Sequence, residues 1–139
     1  MTLLRALFLC ILVASGVAGA NEEVPMIECK SAYGFADSVS RLKSALQAAG
    51  MTIFAEIDHA AGAEQAGMRM PPTLVLIYGN PKGGTPLMLQ DPKLALDLPL
   101  RVLVRQDAAG GVLIAYHPMP QLAKAQELIR TAIGLSPKD

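Results

Sequence analysis

The chain has 139 residues, and its 12 Lys and Arg balance 12 Asp and Glu, so the formal net charge is zero. No basic run or patch is present, which removes the electrostatic footprint that nucleic-acid binding requires. Two cysteines, Cys10 and Cys29, exclude both a disulfide-rich scaffold and a C-x-x-C redox motif.

In chain order, residues 1–20 carry the plan of a secretory signal peptide. Arg5 and the amino terminus supply positive charge, Ala6 to Ala14 is almost wholly apolar, and Ala18-Gly19-Ala20 sets small residues before a cut at Asn21. The alternative is a retained anchor, against which stands an apolar run shorter than the ~20 residues a membrane-spanning helix needs. Leu7-Phe8-Leu9 stand where a lipoprotein box around Cys10 would need small residues. The expected product is a single domain, residues 21–139, in the periplasm or secreted, with no membrane attachment after cleavage. Cys29 is then its lone thiol, either free or paired with another chain; alternation with Glu28 and Lys30 predicts that it faces inward on a strand.

Val24 to Ser31 reads as a strand. Phe35 to Ala49 reads as an amphipathic helix with Phe35, Val39, Leu42 and Leu46 on one face, closed by Gly50. Met51 to Asp58 alternates, which predicts a half-buried strand with Ile53, Ala55 and Ile57 on one side and Phe54, Glu56 and Asp58 on the other. A short helical turn is expected over His59 to Gly67, and Thr73 to Tyr78 is apolar enough for a central strand. Gly79 to Thr85 reads as a tight turn, and Leu87 to Leu96 as one or two short helical turns around Pro92. Leu100–Gln106 and Val112–Tyr116 form a hairpin pattern, and Pro120 opens a last helix with Leu122, Ala125, Ile129 and Ile133 inward. The order β-α-β-β-β-β-α predicts an α+β fold, an antiparallel sheet with helices on one face.

Few residues carry chemistry. Gly79 to Thr85 has the glycine spacing of a phosphate-binding loop, but Thr85 stands where the lysine belongs, and Pro81 and Pro86 remove backbone donors. Glu56, Asp58 and His59 cluster near a strand end, as acid/base groups or as a solvated polar edge. If the ends of the strands at His59 and His117 converge, the two imidazoles and nearby methionines would make a soft site suited to copper; otherwise the methionines fill gaps in the core. Asp97 and Arg101 flank Leu98-Pro99 at the mouth of a strand, either walling a pocket or pairing to steady a loop. No G-x-S-x-G elbow is present.

Several motifs in order, EIDHAA (Glu56–Ala61), TLVLIYGNPK (Thr73–Lys82), GTPLM (Gly84–Met88) and ALDLPL (Ala95–Leu100), resemble the bacterial family catalogued as domain of unknown function 302. The resemblance runs from about Lys30 to Met119, with Tyr78 where the family more often has Phe. It implies a β-α-β(4)-α domain similar to the TATA-binding-protein-like or helix-grip class, often dimeric, and it supplies no activity.

The expected role is a non-enzymatic module that binds a small, partly apolar ligand without a cofactor or metal. Its candidate contacts are Asp58, His59, Gly79, Asn80, Lys82, Thr85, Asp97 and Arg101. The alternatives are a homodimer that buries Leu87, Leu94, Leu96 and Leu98, and a small enzyme or copper binder using Asp58 and His59, with His117 as a further metal candidate.

Overall fold

The computed structural model describes residues 25–136. The segment 1–20, the cut before Asn21, and positions Val24 and Pro137 lie outside these residues. A five-stranded antiparallel sheet has the order β1-β5-β4-β3-β2, with β1 Ile27–Lys30, β2 Thr52–Asp58, β3 Thr73–Gly79, β4 Leu100–Gln106 and β5 Val112–Tyr116. The expected α+β class is the observed one.

Strand alternation builds the core. Leu76 and Tyr78 of β3, Val102 and Val104 of β4, and Ile114 of β5 all point to one face and are buried. Two helices cover that face, α1 (Phe35–Ala48) and α4 (Ala123–Ala132), and they seal it with Leu42 and Leu46 from the first and Ile129 from the second. Ile133, just past α4, completes the seal. Gly50 ends the first helical stretch with φ 77, a left-handed value that favours glycine. At the start of α1, Ser31 and Ser38 hydroxyls meet at 2.8 Å inside the core, and Ser38 also donates to the Tyr33 carbonyl. That network fixes how the chain leaves β1 and enters the helix.

The opposite face of the sheet carries Val75, Ile77, Leu103 and Leu113, all half-buried, and the small Ala115. Arg105 reaches across β5 to Glu28 at 2.9 Å, and this ion pair spans the strand that carries Ala115. Ala115 is correspondingly only 3% exposed.

Two expectations need correction. The first concerns β2. A β-bulge at Phe54 shifts the register between Ile53 and Ala55: Ile53 pairs with Tyr78, but Ala55 pairs with Ile77 and Glu56 with Leu76. One extra residue reverses every later side chain. Ile53 therefore faces the helices, whereas Ala55 and Ile57 face the open side. Glu56 moves to the helix side, where it pairs with Lys43 of α1.

The second concerns Gly79 to Thr85. The chain makes no isolated turn there but enters a ten-residue helix, α3 (Pro81–Gln90). Asn80 caps it by accepting from the Lys82 N–H at 2.9 Å, and Pro81 sits at the first position, where a missing N–H costs nothing. A further helix, α2 (His59–Gln65), is capped by Asp58 through the Ala61 N–H at 2.9 Å. A 3-10 turn at Pro92–Leu96 follows α3, and a cis Leu98–Pro99 bond leads into β4.

Candidate functional site

The end of the sheet where β3 stops and β2 and β4 begin is not sealed. Between it and α3 lies a half-open cleft of about 310 Å³. Met51 and Phe54 line it at the start of β2, Gly79 at the end of β3, and Leu98, Pro99 and Leu100 where the chain enters β4. The first turns of α3 add Asn80, Pro81, Gly83, Gly84, Thr85 and Met88, and Leu122 closes one side.

Local sequence accounts for this shape. The bulge frees Phe54 from the alternation and leaves the residue 51% exposed at the cleft. A Cβ on Gly79 would sit 3.3 Å from that ring and 3.5 Å from the Cβ of Pro99, so glycine permits their close approach. Gly83 differs: a Cβ there would meet nothing within 4 Å, so the space beside it is open. Leu98, Leu100 and Met88 turn inward, while Leu89 and Leu96 stand 79% and 88% exposed.

Of the residues expected to contact a ligand, Gly79, Asn80 and Thr85 line the cleft. Lys82 is exposed on the first turn of α3 and is not part of the lining. Asp97 follows the 3-10 turn and is exposed; Arg101 pairs with Ile77 in the sheet and points away from the side taken by Leu100. No ion pair joins Asp97 to Arg101 among the described residues.

Asp58 and His59 lie at the far end of β2. Six residues at ~3.3 Å each separate Asp58 from Thr52, so roughly 20 Å divides them from the cleft. Asp58 borders a different, broader depression of about 690 Å³ with Phe35, Glu64, Met68, Arg69 and Met70. His59 and His117 do not converge, so the condition for a shared copper site is not met. The strands β2 and β5 run in opposite directions three places apart in the sheet, so their final residues lie at opposite ends. His117 instead contacts the Pro25 carbonyl through Nδ1 at 3.0 Å, and Gln126 bridges the His117 carbonyl and the Met119 N–H. Among the described residues no group of three or more His, Cys, Asp or Glu is placed to hold a metal.

Of the interface leucines, Leu98 lines the cleft, Leu87 and Leu94 are half-buried, and Leu96 is exposed. Sequence reading missed Met51, Phe54 and Leu122. Phe54 left one signal, as the large apolar residue on the polar side of an alternating strand.

A second cluster lies inside the core. Cys29 of β1 is half-buried, and Arg130 of α4 donates to its sulfur at 3.3 Å. The Tyr116 hydroxyl is pushed up by burial and by neighbouring Cys29, with Arg130 opposing. Among the described residues the Tyr78 hydroxyl has no hydrogen-bond partner; burial, and then Tyr116, push its ionisation well above the ordinary tyrosine range.

Comparison with known proteins places the chain. The family model described as domain of unknown function DUF302 matches residues 27–134. Proteins of Brucella suis biovar 1 and Brucella abortus biovar 1, both named fluoride-specific ion channel FluC 1, are 35% identical over 111 residues, 80% of this chain. The match spans only 42% and 39% of their lengths, so this chain corresponds to about two fifths of each. The crystal structure of an uncharacterized conserved DUF302 protein from Bacillus stearothermophilus superposes with a TM-score of 0.66 at 15% identity, covering 78% of this chain and 94% of that one. At that identity the likeness shows the fold.

Proposed function

The chain belongs to the DUF302 family, and from that premise we propose that it is a non-enzymatic module that binds a small apolar ligand in the cleft beneath α3, in the periplasm or outside the cell. The observation that carries this reading is the cleft's composition. An apolar concavity of about 310 Å³ lies at the lower end of the size range for ligand pockets, and its lining holds a few polar groups and no titratable side chain. A general acid or base would have to act from within reach of the ligand. Asp58 and His59, the acid/base pair in the sequence, sit on another part of the surface. Fluoride conduction belongs to the longer Brucella proteins; among the described residues here no helix is long and apolar enough to cross a membrane.

The export reading rests on residues 1–20 and is tested by amino-terminal sequencing of the protein from the cell envelope fraction. A chain starting at Asn21 is expected, and a retained Met1 would overturn it. The binding reading is tested by extracting protein purified from its native source with organic solvent and analysing the extract by mass spectrometry. A co-purifying apolar compound is expected, and it should disappear in Gly84→Leu, whose side chain starts 3.6 Å from Leu98 in the cleft wall. An extract indistinguishable from that variant's would count against binding.

One observation favours a second reading, a homodimer. Leu89 and Leu96 are large, apolar and almost fully exposed at the end of α3 and on the 3-10 turn that follows. If they form an interface, sedimentation should give a dimer that Leu96→Asp converts to monomer.

A further inference from the structure

We propose that the cleft selects an uncharged ligand, a single aliphatic chain of about ten carbons ending in a neutral hydrogen-bond acceptor, and discriminates against the corresponding carboxylate. This rests on the binding-module reading and goes beyond it by assigning the ligand's charge, length and polar end.

Charge is decided by what the lining lacks and by how α3 is capped. Among the described residues no Asp, Glu, Lys, Arg or His lines the cleft. A helix start opening into a cavity would normally attract an anion through its free N–H groups. Here each one is spoken for. Pro81 has none, Lys82 donates to Asn80 Oδ1 at 2.9 Å, and Gly83 and Gly84 donate to the Asn80 carbonyl at 3.0 and 2.8 Å. A carboxylate entering the cleft would lose water and gain no backbone N–H from the start of the helix. Burying an unpaired charge is far costlier than burying a neutral polar group.

Length follows from volume. A cavity of about 150 Å³ accepts benzene, and this cleft has about 310 Å³. Twice the benzene space corresponds to a chain of roughly ten to twelve carbons.

The polar end is set by Asn80. Its Oδ1 is committed to the Lys82 N–H, so the side chain offers a ligand the two donors of its amide nitrogen. Thr85 adds a hydroxyl to the lining. A ketone, ether, ester or alcohol oxygen suits that pairing.

The test is a titration of protein expressed from the full-length gene, labelled at its methionine methyls and followed by NMR. Met51 and Met88 report from the cleft, while Met26 and Met68, 57% and 61% exposed and outside the lining, serve as controls. The probes are 2-decanone and decanoate. At about pH 7.5 the ketone should bind at least about tenfold more tightly, and decanoate should gain affinity as the pH falls toward its own carboxyl pKa. Asn80→Asp keeps an oxygen to cap α3 but removes the amide donors, and it should weaken the ketone by about fivefold or more. Decanoate binding as tightly as the ketone at about pH 7.5 would overturn the proposal and leave the cleft a binding site; loss of that binding in Lys82→Gln would identify the lysine as its anion partner. If neither probe moves Met51 or Met88, the binding-module reading itself fails.

Discussion

The two ends of the helix-covered face follow different rules. Where α1 and α4 meet the sheet, Leu42, Leu46, Leu76, Val102, Ile114 and Ile129 are all fully buried, and residue after residue falls where its periodicity puts it. Beneath α3, no helix residue is fully buried, two glycines and a proline interrupt the helix, and a cleft remains. The first arrangement is what stability requires of a domain this small. The second leaves apolar surface around an opening that water can enter, and this is the opening the proposed ligand would fill.

The contrast can be broken by truncation. Ile129→Ala should cost about 2–5 kcal/mol of unfolding free energy because its closed surroundings cannot collapse around the gap. Met88→Ala, at the edge of an existing cleft, should cost about 1 kcal/mol or less. Equal losses in chemical denaturation would show that the two regions do not differ.

Tyr78→Phe sharpens the account of the closed region. The native hydroxyl is buried without a partner, so removing it should raise stability by about 1 kcal/mol. Its effect on pH dependence has a definite sign. The folded protein holds the Tyr78 proton more tightly than the unfolded chain does, so that stability is fully present below about pH 10 and is lost as the pH rises beyond it. The variant should lose stability less steeply in that alkaline window, measured by urea midpoints across pH; an unchanged slope would contradict the burial argument.

Smaller effects are expected elsewhere. Gly83→Ala should stabilise by roughly 0.5–1 kcal/mol, since it replaces a helical glycine and its Cβ meets no atom. A thermal melt shifted downward would mean that the space beside Gly83 is not free. Lys43→Met removes a partly exposed ion pair with Glu56 and should cost about 0.5 kcal/mol or less, diminishing in high salt.

Legibility in the sequence follows the same division. The helix at Phe35–Ala48, the hairpin from Leu100 to Tyr116 and the last helix are strongly periodic, and the physics that buries them is the physics that patterns them. The family was readable for another reason, because the segments around Gly79, Asn80 and Pro81 carry it as specific residue strings. The α3 helix was not readable, since Gly83, Gly84 and Pro86 are poor helix formers and the element depends on the Asn80 cap, Pro81 and packing of Leu87 and Met88. Nor was the bulge at Phe54. Alternation specifies faces only while the count of residues per pair stays even, and one inserted residue moved Glu56 and Asp58 to the other side. The expected site split because β2 and β3 are antiparallel, which sets Asp58 opposite Leu74 and Gly79 opposite Thr52, at the two ends of the pair. Gly79, Asn80 and Thr85 came together with the unanticipated Met51, Phe54 and Leu122, whereas Asp58 and His59 were carried to the opposite end.

The claim that the cleft is a binding site is tested most directly by comparing 2-decanone binding to the native protein and to Gly84→Leu, read at the methionine methyls; a Cβ at position 84 lies 3.6 Å from Leu98 in the cleft wall. The account predicts saturable shifts at Met51 and Met88 alone in the native protein, and their loss in a variant that still unfolds cooperatively. Shifts spread equally over the exposed Met26 and Met68, or unaffected by a side chain placed at position 84, would contradict it.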